Sequence, residues 1–211
     1  VALQYVEALR PHRPLFVEEL LQPGETLGLA SIKAKTDVPI ATGERLVDRR
    51  EFDDLFRHRA VDIAQPDLCH VGGFGEARKI AAMAENANAG IAPHNPLGPI
   101  AGVAALHFDI ATPNFVIQEE MTGAVPWYDE VAETVIRRVD GAWQIPDRPG
   151  LGVEVNEAVA ARREPHVGRH GGDVAVGEEA GVDVLRVAHG DVADAEGREA
   201  LDESGDERGV A

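Results

Sequence analysis

The chain has 211 residues, 44% hydrophobic and 27% charged, which is enough for one domain with a sizeable core. Its formal net charge of −17 argues against nucleic acid and against an anionic membrane surface as partners. A single cysteine, Cys69, rules out an internal disulfide framework and makes a reducing, cytoplasmic setting the default; no stretch approaches the roughly 20 apolar residues of a membrane-spanning helix.

The start, VALQYVEALRPHRP, lacks the apolar core of a signal peptide. It also lacks a Met and opens inside a helical pattern, so the expectation is a piece of a longer protein. Val1, Leu3, Val6 and Leu9 have helical spacing, and Pro11 and Pro14 end it. Leu15–Val17 reads as a short strand ending at Glu18-Glu19, and Leu27–Lys35 as a helix. Asp37–Ala41 is the next strand, ending at Gly43-Glu44, and Arg50–Arg57 is helical. Val61–Ala64 is a strand ending at Gln65-Pro66-Asp67. After the Gly72-Gly73 turn, Phe74–Ala89 is an Ala-rich helix. Gly90–Pro93 is a strand that stops at His94. The stiff turn Asn95–Pro99 and a helix, Ile100–Ile110, follow, and Asn114–Ile117 is a last strand before Gln118-Glu119-Glu120.

These strands are continuous apolar runs, as suits strands buried on both faces of a parallel sheet. Strand and helix patterns alternate five times, so the fold class is α/β, a partial (β/α) barrel of about five units. Glu18, Glu44, Asp67, His94 and Glu119 stand at successive strand ends, 26, 23, 27 and 25 residues apart. A βα unit takes about 30 residues or slightly fewer, so one ionisable group recurs per unit. A parallel barrel brings all those strand ends to one rim, where such folds place their chemistry. Taken singly, each group has a blander reading: a solvated loop carboxylate, a turn Asp or a satisfied core histidine.

Glu18 and Glu44 offer the carboxylate oxygens that a hard cation such as Mg²⁺ prefers, although two acidic ligands are few for a well-held ion. Glu19 is the expected spectator of the Glu18-Glu19 pair, but the sequence leaves open which of them points inward. Asp67 and His94 fall on neighbouring strand ends. A carboxylate on one imidazole nitrogen fixes the tautomer and makes the other nitrogen a stronger base, suited to removing a carbon-bound proton. Glu119 could hydrogen-bond an oxyanion. Mg²⁺ held by carboxylates, with a His base, is an arrangement that stabilises an ene-diolate.

Several segments resemble the barrel domain of the enolase superfamily, mandelate racemase/muconate lactonizing branch. They are LFVEEL, PIATGERL, DIAQPDLCHVGGFGEARKIAAMAE, IAPHNPLGPIAGVAALHFD and NFVIQEE, within residues 1–157. APHNPLGPI, NFVIQEE and PGLGVEVNE are most similar to the galactonate-type acid-sugar dehydratases of that branch. The resemblance implies that Glu18 and Glu44 bind Mg²⁺, that His94 is the base paired with Asp67, and that Glu119 stabilises the enolate-like intermediate. It implies a small aldonic acid as substrate, loss of its α-proton and 3-hydroxyl to give a 2-keto-3-deoxy acid, and a homo-oligomer in the full-length form. The family motif reads Glu-Glu-Pro where this chain has Glu18-Glu19-Leu20. The family's first barrel strands, its capping domain, its third metal ligand and its acid catalyst have no counterpart in these residues, so this piece alone is expected to be inactive. A racemase or cycloisomerase of the same branch, or a non-catalytic fragment, are the alternatives.

From Asn156 to Ala211 the composition shifts: no Phe, Trp, Tyr, Ile, Met, Lys or Cys, with 14 acidic and 6 basic residues. The expectation is a barrel domain over 1–155 and a charged, low-complexity, disordered tail over 156–211, with short helices open near Val192–Leu201. The missing AT-rich-codon residues also fit a frameshifted read, against a genuine acidic interaction tail.

Overall fold

The computed structural model describes residues 1–96, 98–121, 128–132, 138–144 and 147–163. Helix α1, Ala2–Leu9, buries Val6 and runs into a 3₁₀ turn, Arg10–His12. Four strands follow, β1 (Val17–Glu18), β2 (Ile40–Thr42), β3 (Ile63–Ala64) and β4 (Gly90–Ile91). They pair in parallel in the order β1-β2-β3-β4, with Val17 opposite Ile40, Ala41 opposite Ile63 and Ile63 opposite Gly90. Helices α2 (Thr26–Lys33), α3 (Arg49–Arg57) and α4 (Phe74–Asn86) make the connections, and α5 (Pro99–Ile110) leaves β4. This is the α/β sequence of a parallel barrel, cut to part of its circumference.

Local chemistry accounts for the helix boundaries. Asp48 and Glu51 form a capping box at the start of α3, which then buries Phe52, Leu55 and Phe56 at helical spacing. Pro99, expected in the turn, is instead the first residue of α5, where its missing N–H costs nothing. The expected fifth strand, Asn114–Ile117, contracts to a single parallel bridge between Ile91 and Phe115. Two backbone bonds carry that bridge, Ile91 N–H to the Asn114 carbonyl and Val116 N–H to the Ile91 carbonyl, both at 2.8 Å, and side chains add to them: Asn114 donates to the carbonyls of Ala81 and Ala89, and Gln118 donates to that of Pro93.

The sheet has two buried faces. Val17, Ile40, Ala64 and Ile91 join the larger core with α3 and α4, whose Phe52, Ile80 and Ala84 are fully buried. Phe16, Ala41, Ile63 and Ala92 form a second cluster on the other face. Side chains alternate along a strand, so the residues two positions beyond Phe16, Ile63 and Ala92 continue that inner face. They are Glu18, Gln65 and His94.

Beyond α5 the described residues include α6 (Tyr128–Val131), the antiparallel pair β5 (Arg138–Val139) and β6 (Ala142–Trp143), and α7 (Glu157–Arg163). Asn156 N–H donates to the Val131 carbonyl at 2.8 Å and Val159 is buried, which holds the start of α7 against α6. Residues 164–211, including the segment Val192–Leu201, lie outside the described residues. Among the described residues no helix is long and apolar enough to cross a membrane.

Candidate active site

Glu18 ends β1, and its carboxylate accepts a hydrogen bond from Gln65 Nε2 at 2.5 Å. The next residue, Glu19, has φ 53°, a left-handed conformation that turns its side chain another way. Its carboxylate accepts from Thr42 Oγ1, from Gly43 N–H at 3.2 Å and from Arg45 Nε at 2.6 Å. Glu19 is thus committed to an arginine and the β2 turn, and Glu18 is the member of the pair on the inner face.

Glu44 follows β2 across Gly43. That glycine has φ 142°, and a Cβ there would lie 2.8 Å from Phe52 Cε1 and 2.9 Å from Gln65 N. Only glycine lets the backbone pass so close to the end of β3, and this passage aims Glu44 at the rim. Asp67, 1% exposed, lies in the turn after β3, where one carboxylate oxygen accepts from the N–H groups of Cys69 (2.7 Å) and His70 (3.3 Å). Its other oxygen, Oδ2, lies 2.9 Å from His94 Nδ1. The opposite ring nitrogen, His94 Nε2, is 3.5 Å from Glu44 Oε2. Glu119 Oε2 accepts the N–H of Asn95, and Asn95 Nδ2 reaches the Glu119 carbonyl.

The five groups therefore occupy one rim. Glu44, His94 and Asp67 form a continuous line of contacts; Glu18 is bonded to Gln65 at the end of β3, and Glu119 to Asn95, the residue after His94. Burial raises the pKa of Asp67, but the hydrogen bonds from His94 and Cys69 N–H and the charges of His70 and His94 together outweigh it, holding the carboxyl below its ordinary value. Asp67 is thus an anion at neutral pH, placed to accept an N–H from His94 Nδ1 and leave Nε2 facing the rim.

Two residues of the site escaped the strand-end pattern. Gln65 lies between the strand and Asp67, and only its inner-face register, two positions after Ile63, marks it. His70 sits three residues past Asp67, its Nδ1 3.0 Å from the Glu44 carbonyl and its ring centroid 6.1 Å from that of His94. The short turn from Asp67 that folds back toward Glu44 is not visible in a one-dimensional spacing.

Residues 1–159 match the family model described as enolase C-terminal domain-like. A D-galactonate dehydratase from Ralstonia nicotianae is 41% identical over 166 residues, covering 75% of this chain and 43% of the relative. The crystal structure of a mandelate racemase/muconate lactonizing enzyme from Sulfitobacter sp. superposes with a TM-score of 0.73 at 38% identity, covering 80% of this chain and 42% of that one. An enolase structure from Agrobacterium radiobacter, bound to Na and L-malate, gives a TM-score of 0.71 at 36% identity, covering 76% of this chain and 44% of that one. The chain spans less than half the length of these relatives.

Proposed function

The chain belongs to the enolase C-terminal domain-like family, and on that premise we propose that the whole protein is an acid-sugar dehydratase of the galactonate type, acting on a small aldonic acid. The observation that carries the reading is the line Glu44–His94–Asp67. A buried anionic carboxylate holds one imidazole nitrogen, and the other nitrogen faces a carboxylate on the neighbouring strand end. His94 takes the proton α to the substrate carboxylate on Nε2, while Asp67 holds the ring and stabilises the imidazolium that forms. Glu119, fixed against Asn95 N–H, hydrogen-bonds the oxyanion side of the substrate. Loss of the 3-hydroxyl then gives the 2-keto-3-deoxy acid.

The donor set suits a hard divalent ion in kind: Glu18 and Glu44 supply carboxylate oxygens from adjacent strand ends. These two residues would hold Mg²⁺, which when bound supplies positive charge to the substrate carboxylate as its α-proton leaves. That a related enolase structure is bound to Na and L-malate supports a cation and a hydroxy acid as ligands of this fold. The test is a screen of aldonic acids on the full-length protein, with 2-keto-3-deoxy acid as the readout. Turnover of a galactonate-like acid is expected. No keto-deoxy product from any aldonate would end the dehydratase reading.

A further inference from the structure

Asp67 Oδ2 faces two imidazoles. His94 Nδ1 lies 2.9 Å away and His70 Nδ1 3.9 Å away. One ligand atom from each of the three residues fits within 4.8 Å of the others. Asp67 is buried, His94 is 12% exposed in its side chain and His70 43%, so the cluster is anchored at one end and open to solvent at the other. Two nitrogens and one oxygen are a poor set for Mg²⁺, which takes oxygens in near-octahedral geometry. They are a good set for Zn²⁺, Co²⁺ or Cu²⁺, whose bonds to imidazole and carboxylate are about 2.0–2.2 Å.

We propose that Asp67, His70 and His94 form a second cation site, selective for borderline transition metals and separate in its ligands from Glu18 and Glu44. The ion takes the place of the hydrogen between Asp67 Oδ2 and His94 Nδ1. That hydrogen moves to His94 Nε2, where Glu44 Oε2 lies 3.5 Å away on the side the new N–H faces. His70 shifts the proton on Nδ1 to its own Nε2, exchanges its contact with the Glu44 carbonyl for the ion and supplies the path from solvent, and water completes the coordination. Metal capture by Nδ1 leaves Nε2 carrying a proton, so an occupied site and a proton-accepting His94 exclude each other. That consequence rests on the reading of His94 as the base: on it the site is inhibitory, a means by which excess zinc-like ions would silence proton abstraction. The ligand set is read from the geometry alone and does not depend on the dehydratase reading.

The chain itself serves for the test. Zn²⁺ is titrated calorimetrically, and Co²⁺ is followed by the intensity of its visible absorption, which reports low coordination with nitrogen ligands. His70→Asn keeps a donor for the Glu44 carbonyl but is a poor ligand, and because His70 is exposed the fold should tolerate it; circular dichroism checks this. Asp67→Asn and His94→Asn remove the other two ligands, while His58→Ala, beside Asp54, controls for surface histidine binding. The expected result is a Zn²⁺ affinity at least about tenfold weaker in His70→Asn than in wild type, loss of the Co²⁺ band, and no change in His58→Ala. Glu44→Gln should leave the Co²⁺ band in place. Zn²⁺ binding that survives in His70→Asn and His94→Asn alike, or a wild-type chain with no Co²⁺ band, overturns the proposal.

Discussion

His94 Nδ1 stands 2.9 Å from Asp67 Oδ2, two side chains 27 residues apart in sequence that meet because β3 and β4 pair in parallel and end on the same rim. Asp67 is held in turn by Cys69 N–H and His70 N–H, so the imidazole is oriented by a carboxylate that is itself fixed. A positioned general base contributes roughly 10²–10⁴ in rate. In the full-length protein His94→Asn is expected to remove exchange of the substrate α-proton with solvent deuterium by about that factor while Mg²⁺ binding stays nearly intact. Asp67→Asn should be milder. Washout at the wild-type rate in His94→Asn would place the base elsewhere.

The two glutamates after Val17 should separate in calorimetry. Glu18 lies on the inner face and Glu19 is bound by Arg45, Thr42 and Gly43. Two carboxylates hold Mg²⁺ weakly, so the chain alone is expected to bind it weakly and the full-length protein more tightly. Glu18→Gln and Glu44→Gln should each lower the affinity of the full-length protein, and Glu19→Gln should not. Unchanged affinity in Glu44→Gln removes Glu44 from the metal site.

Gly43→Ala tests the passage that aims Glu44. The added Cβ meets Phe52 and the backbone of Gln65 below 3 Å, at a φ of 142° that L-residues rarely adopt. A loss of roughly 1–3 kcal/mol in urea denaturation is expected. Mg²⁺ affinity should fall as well, because the same backbone carries Glu44. A variant of wild-type stability would show that the turn can relax.

Asp109, on the buried side of α5, has both carboxylate oxygens without a hydrogen-bond partner among the described residues. Burial pushes its pKa from 3.8 up to about 8. Its folded pKa lies above its unfolded one, so the folded state binds more protons between the two values. Stability from this group is complete below 3.8 and is lost as pH rises toward 8. Asp67, whose pKa is lowered, acts in the opposite sense, contributing stability above its ordinary value and losing it in acid. Urea midpoints for wild type should therefore fall between pH 4 and 8, and Asp109→Asn should flatten that slope. An unchanged slope would mean that Asp109 ionises without cost.

The order of the elements, the parallel α/β class and the recurrence of one ionisable group per unit were legible in the chain, because hydrophobic runs, turn residues and a period near 25 are local or one-dimensional properties. So was the segment 1–157 as a likeness to a known barrel family, since residues 1–159 match it. The lengths of the strands were not, nor was the reduction of Asn114–Ile117 to one bridge, because a ladder depends on the partner as much as on the run itself. The assignment of Glu18 rather than Glu19 to the inner face came from a left-handed backbone at Glu19 and from Arg45, 26 residues away. Gln65 reaches Glu18 across 47 residues, His70 folds back to Glu44 across 26, and Asp109 is isolated by the packing of α5. Each of these depends on strand register and on burial, which exist only once the separated segments have been brought together.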